Sequence, residues 1–308
     1  MISVVIPLYN KEKSIAATLE SVCAQTYTDF EVLVVNDGST DNGADIAAKY
    51  PDARIRVINK ENGGVCSARN RGIQEAKSKF VAFLDADDLW ENDYLSEQVR
   101  MIEDFPEAAM WGLNFAEMYQ GKLVHYLPSG YESGYRGYVE DYFGMRGRRS
   151  DLYCSSSVVI RRDVFDEVGA FDERVRYGED NDMWWRIIAT HPVAFYDEYK
   201  AYYILDSENR ALSKPHRLIY DVEYYVDKFR SPMFRQNKVF YRWVNQRSAQ
   251  WIARVLFTSP EDRKDAYIAA AKLDYREIKM KYWFFFHMPY GIAKWLYLTI
   301  LRVKSKNK

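Results

Sequence analysis

Cysteine is scarce in this sequence of 308 residues, which contains three: Cys23, Cys66 and Cys154. They are widely separated, odd in number and never spaced as Cys-x-x-Cys. This pattern argues against a disulfide framework and against a cysteine zinc site. Reduced thiols in a cytoplasmic protein fit it best.

Excess charge of either sign is also absent. The 43 Lys and Arg residues balance 44 Asp and Glu residues, leaving a formal net charge of −1. No global field therefore attracts a polyanion, and we expect no nucleic-acid partner. The start of the chain lacks the basic region of a secretory signal, and polar residues 9–11 interrupt its first apolar run, so no leader is expected.

Short β-branched runs alternating with helical stretches fill the first hundred residues. The strands are predicted at 2–8, 31–35, 54–58 and 80–84, and the helices at 13–23, 44–49 and 68–76. Because the strands lack polar alternation, we predict an α/β fold with a mainly parallel sheet covered by helices on both faces. Beyond residue 215 the pattern is mostly helical. Two domains are therefore predicted, 1–215 and 216–308.

Carboxylates gather where the predicted strands end, and this is the edge at which such sheets bind ligands. Asp37 follows the second strand, and Asp85, Asp87 and Asp88 follow the fourth. Capping of a helix from residue 89 would explain one acid, but three within four residues repel one another unless a cation offsets them. Oxygen ligands without nearby His or Cys suit Mg²⁺ or Mn²⁺, which commonly also bind phosphates. A nucleoside diphosphate would complete such a site.

A second acidic run, residues 179–182, precedes a predicted apolar helix at 183–189. Its spacing alone is typical of an acidic first helical turn, which the helix dipole stabilises.

Five motifs in this order resemble glycosyltransferase family 2, whose members have the GT-A fold. The resemblance covers about residues 1–200, and its motifs lie at 4–10, 34–41, 62–72, 85–88, and 169–173 with 178–180. It implies an enzyme that moves a sugar from a nucleotide donor to a hydroxyl acceptor.

The resemblance also assigns the donor-binding residues. It implies that Pro7 and Tyr9 line the nucleotide pocket, with Tyr9 against the base, and that Asp37 accepts a hydrogen bond from the base, typically uracil. Arg69 would also reach the nucleotide. Without a ligand, Asp37 could simply belong to a turn, and Arg69 could be a solvated arginine on a helix.

The second group assigned by the resemblance handles the diphosphate. Asp85 would contact the ribose, and Asp87 would bind the Mn²⁺ or Mg²⁺ ion that bridges the diphosphate. For Asp88, capping of a helix explains the residue as well as a role in the donor site does.

The catalytic base implied by the resemblance is Asp180, which would remove the acceptor proton in a single inverting displacement. Glu179 and Asp182 crowd it, so like-charge repulsion should make it a stronger base. Glu179 and Trp184 are placed on the acceptor side. The tryptophan could stack on a sugar or belong to the core.

Two family features are missing. The Gln/Arg-x-x-Arg-Trp signature of processive members has no counterpart, so we expect one sugar per cycle. Many relatives also carry a histidine after the strand that follows the helix of the predicted base. The corresponding residues here, 203–213, contain no histidine.

The end of the chain combines aromatic, aliphatic and basic residues. Residues 282–301 could just span a bilayer, but Lys294 and Pro289 interrupt them, and no acidic residue follows Glu277. We expect a peripheral anchor on the inner face of an anionic membrane, with packing on the catalytic domain and a true span as alternatives.

Together these features predict a metal-dependent inverting glycosyltransferase that uses a UDP-sugar and a glycan or lipid-linked acceptor, as in surface polysaccharide synthesis. A non-catalytic binder of sugar nucleotides or glycans is one alternative. A sugar nucleotidyltransferase would need a glycine-rich basic loop after the first strand, and a dinucleotide oxidoreductase would need Gly-x-Gly-x-x-Gly there; neither motif is present.

Overall fold

The computed structural model describes residues 1–125, 131–144, 152–175, 178–209 and 224–306. The chain divides into two compact units, Met1–Lys214 and Pro215–Lys308.

A parallel sheet forms the first part of the first unit. Its strands lie in the order β3-β2-β1-β4. They are β1 (Ile2–Leu8), β2 (Phe30–Asp37), β3 (Ile55–Lys60) and β4 (Phe80–Phe83). The connecting helices are α1 (Ile15–Cys23), α2 (Gly43–Ala48) and α3 (Val65–Glu75). The apolar runs of β1 and β2 are almost wholly buried, as expected for strands covered on both faces.

The same sheet continues with strands of mixed direction. They are β5 (Leu89–Trp90), β6 (Met110–Tyr119), β7 (Lys122–His125), β8 (Arg136–Tyr138), β9 (Val158–Arg161) and β10 (Val193–Ile204). β9 runs antiparallel between β4 and β6, whereas β6 and β10 are parallel to each other. The helices of this part are α4 (Tyr94–Asp104), α5 (Val164–Val168) and α6 (Glu179–Thr190). The α/β fold class is confirmed, but the strand-helix alternation predicts only the parallel half.

Close contact between α3 and β1 depends on a glycine. A Cβ atom added at Gly72 would lie 2.2 Å from Cγ1 of Val5. Only a residue without a side chain therefore lets α3 approach the strand this closely. This packing fixes the position of Arg69, one turn earlier on the same helix.

Helices make up the described part of the second unit. They are α7 (Pro232–Arg235), α8 (Lys238–Thr258), α9 (Arg263–Ala271), α10 (Met280–His287) and α11 (Tyr290–Lys306). Alanines of α8 and α9 and Leu256 of α8 pack with aromatic residues of α10 in one core. Residues 282–301, considered above as one apolar segment, form parts of two helices, α10 and α11, which are separated at Pro289. Over the described residues, no helix is long and apolar enough to cross a membrane.

Two expectations about local structure are wrong. No helix begins at Leu89, because that residue starts β5 and the next helix begins at Tyr94. The segment 119–151, whose many Tyr, Gly and Arg residues and weak periodicity favour long loops over the sheet or a lid, includes β7 and β8 within its described residues.

Candidate active site

The carboxyl ends of β1, β2 and β4 meet at one edge of the sheet, because these strands are parallel neighbours. The predicted donor residues lie at this edge or on α3 beside it. Pro7 is in β1, next to Val35 of β2. Tyr9 follows β1 and is 37% exposed, so its ring is accessible to a ligand.

Asp37 is held in place by the turn that begins α3. The backbone N–H groups of Gly63 and Gly64 donate to its two carboxylate oxygens at 2.9 and 2.8 Å. Lys60 Nζ lies 2.5 Å from the same carboxylate, whose residue is 2% exposed. Asp37 thus fixes the loop after β3 to the end of β2. Base binding by Asp37 stays a prediction, and any hydrogen bond to a base would be added to these three.

Arg69 connects the two halves of the predicted site. Its guanidinium donates to Asp85 Oδ1 at 2.8 Å through Nη2 and to Glu179 Oε1 at 2.9 Å through Nη1. The residue is only 2% exposed. Burial lowers the pKa of Arg69, but Asp85, Glu179 and Asp180 outweigh burial and raise it. The arginine therefore stays charged and attracts the acidic first turn of α6 to the end of β4.

Asp87 is paired with a lysine that the sequence analysis did not single out. Lys11 Nζ lies 2.6 Å from Asp87 Oδ2 and also donates to the carbonyl oxygen of Glu208. The hydroxyl of Ser207 donates to the same oxygen of Asp87. Residues 207–209, where the family histidine is missing, therefore contact Asp87 through the Ser207 hydroxyl and contact its partner Lys11 through the Glu208 carbonyl.

Asp88 has a structural role that differs from helix capping. Its carboxylate accepts hydrogen bonds from the Ser156 hydroxyl at 2.5 Å and from the Ile204 N–H at 3.0 Å. The side chain thus joins the segment after β4 to the turn before β9 and to β10 in the interior. Burial, followed by repulsion from Asp87 and Asp85, raises the pKa of Asp88 well above its usual range. Asp88 is therefore poorly suited to bind a metal ion.

Asp180 lies partly exposed in the first turn of α6, just after Gly178, whose φ of +69° glycine tolerates without strain. Its Oδ1 accepts the N–H of Asn181 at 2.7 Å. The neighbouring carboxylates are not isolated charges, because Glu179 is paired with Arg69 and Asp182 with Arg186 at 2.9 Å. This pairing removes the basis for predicting that like-charge repulsion strengthens the base.

Trp184 belongs to the core. It is 0% exposed, and its ring packs edge-on against Phe171 with centroids 6.2 Å apart. The ring offers no face to a sugar, so of the two sequence-based interpretations the buried one is correct. Glu179, also assigned to the acceptor side, accepts a hydrogen bond from Arg69, and its acceptor-side role stays a prediction.

No thiol of the site is poised for attack. Burial, with a smaller contribution from Glu179, raises the pKa of Cys66 to about 12. Because the thiolate is the reactive form, Cys66 is not a candidate nucleophile.

The carboxylate oxygens near Asp87 fit a hard divalent cation whose other ligands are water molecules or phosphate oxygens. One oxygen of Asp87 and one of Asp85 receive no hydrogen bond from the described residues. Those residues contain no cluster of three or more His, Cys, Asp or Glu side chains that could hold a metal ion by themselves. One or two carboxylates are what Mg²⁺ typically takes from a protein when phosphates and water supply the rest.

Comparison with known proteins identifies the family. The model of glycosyl transferase family 2 matches residues 3–169. The chain belongs to this family. An uncharacterised glycosyltransferase of Rickettsia felis is 31% identical over 200 residues, which are 63% of this chain and 32% of the relative. The putative glycosyltransferase EpsH of Bacillus subtilis is 34% identical over 153 residues, or 44% of each protein. The chain thus spans less than half of the length of these two relatives.

The fold has a counterpart among solved structures. Residues 1–349 of S. aureus TarS in complex with UDP-GlcNAc superimpose with a TM-score of 0.73 and 18% identity, covering 95% of this chain and 87% of that one. At this identity the similarity establishes the fold. It confirms the GT-A architecture that the sequence motifs imply.

Proposed function

We propose that this protein is a metal-dependent inverting glycosyltransferase that moves one sugar per cycle from a nucleoside diphosphate to a hydroxyl acceptor. The observation that carries the proposal is the bridge from Asp85 through Arg69 to Glu179. It joins the end of β4, where the family binds the donor diphosphate, to the helix that presents Asp180. If the donor-binding carboxylates and Asp180 lay on separate faces of the protein, they could not act on the same substrate.

The donor we propose is a UDP-sugar, bound by Pro7, Tyr9, Asp37 and Arg69. Tyr9 offers an accessible ring for stacking on the base. TarS, which shares the fold, has been crystallised with UDP-GlcNAc and with UDP.

Asp87 would hold Mn²⁺ or Mg²⁺, and Asp85 would contact the ribose of the donor. When bound, the ion supplies Lewis-acid neutralisation of the charge on the diphosphate leaving group. The chain's own contribution is to keep these carboxylates at the sheet edge, through Arg69 and through the Ser156 hydroxyl that accepts the Asp85 N–H at 3.1 Å.

Asp180 would act as the general base. The acceptor oxygen forms a bond to the anomeric carbon and gives its proton to the carboxylate of Asp180. The bond between that carbon and the diphosphate oxygen breaks, and its electron pair leaves with the nucleoside diphosphate. Attack from the face opposite the leaving group inverts the anomeric configuration. A positioned base contributes about 10²- to 10⁴-fold to such a step.

We also propose that the second unit binds the inner face of an anionic membrane and that the acceptor is lipid-linked. Seven exposed large apolar side chains lie between residues 280 and 301, including Trp283 and Trp295. Residues 278–308 contain seven Lys and Arg residues and no acidic residue. Aromatic residues beside cations favour the interface of an anionic bilayer.

A donor screen tests the enzymatic proposal. The protein is incubated with Mn²⁺ and a panel of UDP-, GDP- and dTDP-sugars, with glycan and lipid-linked acceptors, and release of nucleoside diphosphate is measured. Release that depends on both acceptor and metal supports the proposal. Nucleotide-sugar binding without turnover across the panel would favour the non-catalytic binder, and release of pyrophosphate from a sugar phosphate and a nucleoside triphosphate would indicate a nucleotidyltransferase.

A further inference from the structure

Lys11 is an almost buried cation at the predicted diphosphate site. It is 9% exposed, and it follows β1 in the loop that leads to α1. Its ammonium lies 2.6 Å from Asp87 Oδ2 and 3.5 Å from Ser207 Oγ, and it also donates to the carbonyl of Glu208. All three partners are oxygen atoms, and one carries the negative charge that compensates the lysine.

Burial makes this pair an obligate one. A lysine charge withdrawn from water needs a counter-charge, and removing one partner leaves the other uncompensated. A divalent ion that approached Asp87 alone would compete with the ammonium for one carboxylate and leave Lys11 without an anion. The competition disappears when a diphosphate arrives, because its oxygens offer Lys11 a new partner of greater charge.

We propose that Lys11 is an internal counter-cation that neutralises Asp87 before substrate binds and moves to the donor diphosphate when the metal ion binds. This inference rests on the proposed function and adds a diphosphate-binding residue to it. Metal and nucleotide then bind cooperatively, because each removes an obstacle to the other.

Residues 207–209 share in this exchange. The Ser207 hydroxyl donates to Asp87, and Asn209 Nδ2 donates to the carbonyl oxygen of Tyr9 at 3.2 Å. The Glu208 carboxylate accepts the N–H of Lys13 at 3.1 Å and the hydroxyl of Ser14 at 3.2 Å. Departure of Lys11 breaks the contacts of its ammonium with Ser207 and with the Glu208 carbonyl, while the side chains of Glu208 and Asn209 still bind the β1–α1 loop.

The test is Mn²⁺ binding, measured by electron paramagnetic resonance with and without UDP, for wild type and Lys11→Met. Wild type should bind Mn²⁺ at least about tenfold more tightly with UDP, within the usual range of coupling between two sites. Lys11→Met should bind Mn²⁺ alone about tenfold more tightly than wild type and lose most of the coupling. Lys13→Met is the matched control, since the Lys13 side chain is exposed and only its backbone binds Glu208, and it should behave as wild type.

Equal Mn²⁺ affinity of Lys11→Met and wild type without UDP would overturn the proposal. If Lys11→Met fails to fold, the wild-type measurement decides, because equal Mn²⁺ affinity with and without UDP contradicts the exchange. The nucleotide-free comparison is independent of catalysis. Tighter Mn²⁺ binding by Lys11→Met in a protein that transfers no sugar would therefore support the Lys11 exchange and reject the proposed enzyme.

Discussion

Arg69 and Glu179 are 110 residues apart in the sequence and form an ion pair of 2.9 Å at the base of the site. The same guanidinium holds Asp85 at 2.8 Å, and its plane lies near the ring of Phe171, 5.4 Å from the centroid. Arg69 thus links the helix that carries the predicted base to Asp85, one of the predicted donor-binding carboxylates. Its fixed fork of donors is what allows one side chain to bind two acids.

Arg69→Lys should therefore be far from conservative. A lysine supplies a point charge that cannot bind Asp85 and Glu179 in the same geometry, so we expect transfer to fall about 100-fold, the cost typical of misplacing a catalytic group by about 1 Å. The measurement is steady-state release of nucleoside diphosphate. Arg71→Lys, on the same helix but paired with Glu75 at the surface, is the control and should stay within about twofold. Wild-type activity in Arg69→Lys would show that the bridge is not needed.

Asp88 should make the protein lose stability as pH rises. Its pKa is raised in the folded state, so the folded protein holds a proton that the unfolded chain releases above about pH 4. Stability from this group is thus present below that pH and lost as pH rises through the folded pKa. Asp88→Asn keeps the shape without the charge, so its melting temperature relative to wild type should rise from pH 4 to pH 7. A constant difference across this range would contradict the assignment.

Gly72→Ala should destabilise the first unit. The added Cβ would lie 2.2 Å from Cγ1 of Val5, and overpacking of this kind costs about 1–3 kcal/mol. Chemical denaturation measures the change. Gly291→Ala is the control, because a Cβ at this helical position meets no atom within 4 Å and should leave stability unchanged or slightly increased.

Membrane binding can be measured by sedimentation with vesicles. Wild type should sediment with vesicles rich in phosphatidylglycerol and not with phosphatidylcholine alone, and high salt should weaken binding. Trp295→Ser, which removes a side chain that is 65% exposed, should reduce binding severalfold. Ile268→Ser, at an exposed position of α9, should not. Failure of wild type to bind anionic vesicles would reject the proposed membrane binding of the second unit.

Local sequence patterns were sufficient to predict the parallel half of the fold and the polar residues at its edge. Continuous apolar runs define β1 and β2, and the carboxylates that follow the strands mark where a ligand would bind. The mixed half was not predicted, because the pairing of β9 with β4 and β6 joins distant segments that carry no shared periodicity.

Local sequence patterns could not predict the contacts that organise the site. Lys11 and Asp87 are 76 residues apart, and no motif around Lys11 distinguishes it from a solvated lysine. The position of Trp184 could not be decided from the sequence either. A tryptophan beside a predicted catalytic residue can face the ligand or the core, and packing against Phe171 decides between them.

We propose above all that Asp180 deprotonates the acceptor at a site shared with the donor carboxylates. Kinetics of Asp180→Asn, together with calorimetric titration of UDP in the presence of Mn²⁺, test it most directly, with Asp163→Asn at an exposed position as the control. We expect UDP affinity within about threefold of wild type and transfer reduced about 10²- to 10⁴-fold. Full transfer activity in Asp180→Asn would show that Asp180 is not the base.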